Sequence, residues 1–191
     1  GSHCKVCGKV LRKQITVAKL KPTISLTASS LKMKAGQSTT AFKAAGLAKG
    51  DYVTKVTSGN TGIVKVSSVT KKGTFRLTAG KKAGSTTVKV ILASKKSASF
   101  KVTVQRGVVK TSKITVSTKS VTLKKGTTYR KLASSVKVTP VTSQEKVTYT
   151  SSNKKIVTVT SGGVIKGLKK GTATITIRSG SKRTTCKVTV K

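Results

Sequence analysis

Residues 147–177 read VTYTSSNKKIVTVTSGGVIKGLKKGTATITI, and the alternation in this stretch decides the fold class. Val157 is followed by a threonine and another valine, and Ile175 by a threonine and another isoleucine. A period of two places aliphatic side chains on one face of a β-strand and hydroxyls on the other. Serine, asparagine and glycine separate these apolar pairs, and such residues favour turns. The stretch therefore predicts three short strands joined by turns, one of which contains Gly167.

A looser copy of the same pattern lies upstream. Residues 24–36 (ISLTASSLKMKAG) align with residues 114–126 (ITVSTKSVTLKKG), which begin 90 positions later. Residues 58–66 (SGNTGIVKV) align with residues 151–159 (SSNKKIVTV), which begin 93 positions later. Each copy spans roughly 80 to 85 residues, which is too long for a solenoid repeat and suits a small β-sandwich domain.

Composition indicates the same fold class. Threonine, serine and valine are abundant in the 191 residues, and no long segment has the period of an amphipathic helix. Candidate strands recur roughly every 8 to 12 residues, as in antiparallel sandwiches. No run of about 18 apolar residues is present, so no membrane-spanning segment is predicted. The sequence thus predicts an all-β protein.

The pattern resembles the bacterial immunoglobulin-like domain, group 2, which occurs in tandem on bacterial surface proteins and on adhesins of the intimin and invasin type. The second copy carries the resemblance best, through residues 114–126, 136–140, 149–153, 157–159 and 162–177. Tyr149 stands where the family often has tryptophan, whereas the first copy has Val56 there. The resemblance implies two tandem immunoglobulin-like β-sandwich domains, with no shared catalytic or ligand-binding residues.

The predicted domain organisation follows the repeat. Residues 1–20 are interpreted as a tag remnant (Gly1-Ser2-His3) and the end of an upstream module or linker. Residues 21–106 form the first immunoglobulin-like domain and residues 107–191 the second. The connection between them is short and has one glycine, which predicts a partly restrained tandem. The whole is interpreted as a monomeric fragment of a larger protein.

Acid-base residues are too scarce for an enzyme. Asp51 and Glu145 are the only acidic residues, and the one histidine, His3, belongs to the interpreted tag remnant. General acid-base catalysis uses paired carboxylates or a histidine, so no catalytic residue and no cofactor are predicted. Both acids are interpreted as solvated loop charges, and Asn60 and Asn153 as turn-forming residues.

The three cysteines are predicted to have different roles. Cys4 and Cys7 form a Cys-x-x-Cys sequence, which is half of a zinc knuckle or a redox pair. A tetrahedral zinc site needs four ligands and the chain has no second pair, so the two are weak metal-ligand candidates, and a strained disulfide is an alternative. Cys186 aligns with Phe100 in the closing strand of the first copy, which predicts a buried, small hydrophobic residue.

Charge is the most unusual property of the chain. It has 41 lysines and arginines against two acidic residues, a net charge of +39. Paired lysines in predicted turns are the candidates for contacting polyanions. These candidates are Lys71, Lys72, Lys81, Lys82, Lys95, Lys96, Lys124, Lys125, Lys154, Lys155, Lys169 and Lys170. The alternative is a solvated surface that keeps edge strands from pairing with other molecules.

These observations predict a non-catalytic module of a bacterial surface, either secreted or attached to a Gram-positive cell. It would act as a spacer and electrostatic anchor on anionic cell-wall polymers or acidic glycans. One alternative is an adhesin that binds a host receptor or glycan through the divergent residues 40–55 and 128–146. Another is a non-specific binder of extracellular DNA or heparin-like glycans. The six aromatic residues offer no stacking platform for single-stranded nucleic acid, so DNA binding is expected to be non-specific.

Overall fold

The computed structural model of the chain describes residues 2–3, 5–7, 10–12 and 21–191. Among these residues the strands are β1 (Ser2–His3), β2 (Val10–Arg12), β3 (Ser25–Leu26), β4 (Ser30–Lys34), β5 (Ser38–Thr39), β6 (Ala44–Ala45), β7 (Val53–Ser58), β8 (Val64–Ser67), β9 (Arg76–Ala79), β10 (Gly84–Leu92), β11 (Ser97–Gln105), β12 (Lys113–Val116), β13 (Ser120–Leu123), β14 (Thr128–Tyr129), β15 (Val136–Thr139), β16 (Val147–Ser151), β17 (Val157–Val159), β18 (Ile165–Gly167), β19 (Gly171–Ser179) and β20 (Lys182–Val190). A short 3-10 helix, Ala133–Ser135, precedes β15. The all-β prediction is confirmed.

Strands β3 to β11 form one set of sheets, called here the first unit (residues 25–105). Its main sheet has the order β4-β11-β10-β7 and its second sheet the order β5-β9-β8, while β3 pairs with β6. Strand β4 runs parallel to β11, and the other neighbours in the main sheet are antiparallel. Side chains from both sheets meet in one hydrophobic core, which is the arrangement of a β-sandwich.

Strands β12 to β20 form the second unit (residues 113–190) with the same arrangement. Its main sheet has the order β13-β20-β19-β16 and its second sheet the order β14-β18-β17, while β12 pairs with β15. Strand β13 is parallel to β20, as β4 is to β11. A separate hydrophobic core belongs to this unit. The domain division at residues 106 and 107 stays a prediction.

The period-two pattern places the core residues correctly. Eleven inward positions are predicted for the first unit, and eight of them are buried: Leu31, Met33, Val64, Val88, Val90, Phe100, Val102 and Val104. The other three, Ile24, Leu26 and Val66, are partly buried and pack against the same core. In the second unit Val157, Ile175 and Ile177 are fully buried. Alternation is therefore sufficient to identify the inward faces.

The prediction of three strands in residues 147–177 is wrong in one respect. The stretch contains four strands, because Ile165–Gly167 forms β18 between β17 and β19. Gly167 is a buried strand residue and not part of a turn. A Cβ atom at Gly167 would lie 3.1 Å from Val190 Cγ2. Glycine at this position allows the two sheets to approach closely.

In the part of the chain that the structure describes, no helix is both long enough and apolar enough to cross a membrane.

Cys186 occupies the predicted core position. It lies in β20 opposite Ile175 and is fully buried. Burial raises the pKa of the Cys186 thiol, and the positive charge of Lys119 opposes this effect. A buried thiol with a raised pKa provides little thiolate, which is the reactive form.

We expect Cys186 to react with a disulfide reagent only when the second unit opens. In a form that carries Cys4→Ser and Cys7→Ser, native protein near neutral pH should be labelled at least about a hundredfold more slowly than the same protein in denaturant. The rate is measured from the absorbance of the released thiol, and a Cys186→Val form serves as the blank. Rapid labelling of the native protein would contradict the core assignment.

Candidate functional site

All twelve candidate lysines are exposed and lie in turns or irregular segments between strands. The 41 lysines and arginines are spread evenly along the sequence, but the position of each candidate pair in space depends on strand direction. Strands β13 and β16 run in the same direction as β20, and β19 runs in the opposite direction. The segments after β13, after β16 and before β19 therefore meet at one end of the second unit.

Six of the candidates lie at this end. Two follow β13, two lie in the turn after β16 and two precede β19. This group, called here the basic pole, consists of Lys124, Lys125, Lys154, Lys155, Lys169 and Lys170. Neighbouring strands lie about 4.8 Å apart, so the four strands of the main sheet span about 14 Å from edge to edge. The structure thus gathers six positive side chains at the end of one sheet.

Backbone hydrogen bonds connect the segments of the basic pole. The Gly126 N–H donates to the Gly167 carbonyl at 2.8 Å. The Leu168 N–H donates to the Ile156 carbonyl at 2.8 Å. The side-chain oxygen of Asn153 accepts from the Lys155 N–H at 3.0 Å. These bonds hold the backbone that carries the lysines without using the ammonium groups, which stay exposed.

The other six candidates lie in the first unit and are divided between its two ends. Lys81 and Lys82 precede β10 and lie at the end where β11 leads into the second unit. Lys95 and Lys96 follow β10 at the opposite end. The pair at 71–72 lies at that same opposite end, because the Val53 N–H at the start of β7 donates to the carbonyl of residue 71 at 3.0 Å.

The two side-chain carboxylates lie in loops away from the basic pole, and both make local hydrogen bonds. Asp51 accepts hydrogen bonds from the Ser94 hydroxyl at 2.6 Å and from the Tyr52 N–H at 3.0 Å. The Ser94 hydroxyl is the main cause of the lowered pKa of Asp51. Glu145 Oε2 accepts from the Thr111 N–H at 2.6 Å, at the opposite end of the second unit from the basic pole. Both carboxylates thus bind local polar groups, and the sequence contains no other acidic side chain.

A buried polar cluster holds the connection between the units. Thr111 is 4% exposed and Ser179 is fully buried. Their hydroxyls are 2.7 Å apart, and the Thr111 hydroxyl is also 2.8 Å from that of Ser143. Sequence reasoning missed this cluster because its members lie in three separate segments. Local sequence around each of them carries no signal beyond a turn.

Direct contacts join the two units. The Gln37 side-chain amide donates to the Thr142 carbonyl at 2.9 Å, and the Thr142 hydroxyl donates to the Lys32 carbonyl. A cavity of about 580 Å³ lies between residues 27–42 and residues 136–141. Residues 136–141 belong to the divergent segment proposed for receptor contact, and they line this cavity between the units.

The asparagine prediction is confirmed. The Asn60 side-chain oxygen accepts from the Gly62 N–H at 2.9 Å, which is the bond of an Asx turn. Asn153 makes the corresponding bond in the second unit.

The structure does not test the Cys4–Cys7 hypothesis. Cys4 lies outside the described residues, and Cys7 is exposed. Within residues 2–3, 5–7, 10–12 and 21–191, no three His, Cys, Asp or Glu side chains come together as a metal site.

Residues 110–190 match the family model of the bacterial Ig-like domain (group 2). The match covers the second unit and the last part of the connection. It agrees with the resemblance predicted for the second copy, while membership of the first copy stays a prediction. No match to the sequence was found among curated proteins.

Several solved structures are similar to the chain. A structure of the S-layer protein SbsC, domains 5-6, is 22% identical, with a TM-score of 0.45, and the match covers 90% of this chain and 97% of that one. A structure of SbsC domains 1-6 is 20% identical, with a TM-score of 0.37; the match covers 93% of this chain and 28% of that one. Drosophila N-cadherin EC1-3 is 9% identical, with a TM-score of 0.41 and coverages of 90% and 67%.

Proposed function

We propose that the chain is a non-catalytic module of a bacterial cell surface that acts as a spacer and as an electrostatic anchor on anionic envelope polymers. The proposal includes two tandem immunoglobulin-like domains, residues 21–106 and 107–191, and a Gram-positive cell. Support for the surface setting comes from the family match of residues 110–190. Anionic cell-wall polymers such as teichoic acids, or acidic glycans, are the proposed partners.

The observation that carries the proposal is unbalanced charge. The chain has a net charge of +39, and its only two carboxylate side chains bind local hydroxyl and backbone groups. A polyanion releases condensed counterions when lysines replace them, and this release favours association at low salt. The lysine ammonium is a compact point charge on a flexible stem, and it does not require a fixed geometry of the anion. Such a surface suits a flexible polymer better than a single defined ligand.

The proposal is tested by binding the purified protein to isolated Gram-positive cell walls, with and without their teichoic acids, from about 0.05 to about 0.5 M salt. We expect binding that requires the teichoic acid and weakens steeply as salt rises. Binding that persists at high salt, or that is indifferent to the polymer, would contradict the anchor and favour a specific receptor. Equally strong binding to duplex DNA would indicate a non-specific polyanion binder, acting on nucleic acid in vitro.

A further inference from the structure

We propose that the chain carries tension along its length, and that the junction between its units opens under tension before either unit unfolds. The junction consists of residues 106–112, which connect the units, and of the segments 32–37 and 142–145, which contact each other or the connection. This inference rests on the spacer role in the proposed function. It requires no bound polyanion, so the electrostatic anchor and the response to tension can fail separately.

Strand directions place the strands that bear the load in shear. In the first unit β4 runs parallel to β11 over five residue pairs, and in the second unit β13 runs parallel to β20 over four. Each of these pairs joins a strand near the start of its unit to the last strand. Tension pulls the early strand backwards from its start and the last strand forwards from its end. Because the two strands would slide along each other, all bonds between them are loaded together.

Backbone bonds and buried side chains strengthen both parallel pairs. The Ala35 N–H donates to the Gln105 carbonyl at 2.8 Å, and in the second unit the Lys191 N–H donates to the Leu123 carbonyl at 2.9 Å. Met33, in β4, is fully buried in the core of the first unit. Sliding of either pair therefore breaks its hydrogen bonds and exposes its core in one step. Each unit should resist tension up to a high force.

The connection is held against the second unit by bonds that tension loads one after another. Val109 is 1% exposed, its N–H donates to the Gln144 side-chain oxygen at 3.3 Å, and its carbonyl accepts from the Gln144 N–H at 3.0 Å. The Thr111 N–H donates to Glu145 Oε2 at 2.6 Å. Pulling the first unit away peels the connection from the end nearest β11. The bonds at Val109 then carry the load before the bond at Thr111.

Two hydrogen bonds close the junction directly. The Gln37 side-chain amide donates to the Thr142 carbonyl at 2.9 Å, and the Thr142 hydroxyl donates to the Lys32 carbonyl. They bridge the units without passing through the connection, so separation of the units breaks them before the connection is drawn straight. A few hydrogen bonds add little net stability because water replaces each lost partner, whereas unfolding a unit exposes its whole core. The junction should therefore yield at the lower force.

Opening of the junction and unfolding of a unit differ about tenfold in length. An extended chain spans at most about 3.3 to 3.6 Å per residue, so straightening residues 106–112 adds no more than about 25 Å. Unfolding of residues 25–105 adds up to about 280 Å by the same measure. Opening of the junction is thus a short extension that leaves both units folded. Its bonds can form again when tension falls, because the units keep their shape.

Single-molecule force spectroscopy on the full chain tests the proposal. Cys4 and Cys7 are changed to serine, and Lys21→Cys and Lys191→Cys provide attachment points, since both lysines are exposed. Cys186 is buried, so it does not compete for attachment in the folded protein. We expect a reversible extension of at most about 25 Å at low force, followed at higher force by two extensions of roughly ten times that length.

A pair of threonine variants tests the direct contact between the units. Thr142→Val removes the hydroxyl that bonds to Lys32 and leaves a side chain of nearly the same shape. It should increase the rate of the short extension at a fixed force by about two- to tenfold, the range for one hydrogen bond. Thr103→Val is the matched control, because the Thr103 hydroxyl lies 3.1 Å from that of Ser85 within the first unit. It should leave the short extension unchanged, and an equal effect of both variants would contradict the role of Thr142 in the junction.

A second pair of attachment points changes the direction in which the first unit is pulled. Lys82→Cys and Arg106→Cys flank the adjacent ends of β10 and β11, which are antiparallel, so tension separates these two strands one bond at a time. The first unit should then unfold at a lower force than in the pull from residues 21 and 191. Equal forces would overturn the shear arrangement, and unfolding without a preceding short extension would overturn the junction as the first point to yield. Neither result depends on polyanion binding, which the cell-wall assay measures independently.

Discussion

Replacing Phe100 with alanine is expected to lower the free energy of unfolding of the first unit by about 3 to 5 kcal/mol. Phe100 is 2% exposed and lies in β11, in the main sheet of the first unit. Its ring stacks on that of Phe42 with centroids 4.0 Å apart, and the ring of Phe75 lies 6.2 Å away. Alanine would remove the apolar surface, leave a cavity between the sheets and eliminate both aromatic contacts.

The measurement is native-state hydrogen exchange resolved by amide, which assigns an opening free energy to each strand. Phe100→Ala should accelerate exchange in β10 and β11 and leave β19 and β20 unchanged, because the two cores are separate. Ile175→Ala is the matched substitution in the second unit. It should cost about 2 to 5 kcal/mol and give the reverse pattern. Equal loss of protection in both units would show that they unfold as one cooperative body.

The sequence identifies the core well because a strand has only two faces. Val157 and Ile175 occupy the inward positions that alternation predicts. Alignment of Cys186 with Phe100 correctly places a cysteine in the core, a position that composition alone would not indicate. The prediction of a turn at Gly167 is wrong because glycine permits both a turn and a close approach of two sheets. The pairing of Gly167 with Val157 and the close approach to Val190 distinguish them.

The features that the sequence could not predict depend on contacts between residues that are far apart in the chain. The basic pole forms because β13 pairs in parallel with β20, which brings the segment after β13 beside the segment before β19. No local pattern reports such a pairing. The contact of Gln37 with Thr142 joins residues 105 positions apart. Each residue alone is typical of a polar loop, so neither is predicted as part of an interface between the units.

Gly180→Ala is expected to cost more than Gly126→Ala, although both glycines have a positive φ. Gly180 has a φ of 56° in the two-residue turn between β19 and β20, and Gly126 has a φ of 84°. A positive φ costs alanine about 1 to 2 kcal/mol. A Cβ atom at Gly126 meets nothing within 4 Å, so this strain is its whole cost. At Gly180 the Cβ would overlap the carboxyl group of Glu145.

The overlap would displace Glu145 from the Thr111 N–H, which lies in a residue only 4% exposed. Loss of a partner for a buried donor costs about 1 to 3 kcal/mol. Gly180→Ala should therefore destabilise the second unit by about 2 to 5 kcal/mol, measured by denaturant unfolding.

A double-mutant cycle with Glu145→Ala separates the two contributions to the cost at Gly180. Glu145→Ala alone removes the acceptor of the Thr111 N–H and should cost about 1 to 3 kcal/mol. In the double variant the hydrogen bond is lost once and the overlap has no partner, so its cost should be less than the sum of the single costs. The difference should equal the value of the Glu145–Thr111 bond. Additive costs would mean that Glu145 moves aside without losing that bond, so that Gly180→Ala costs only the strain of a positive φ.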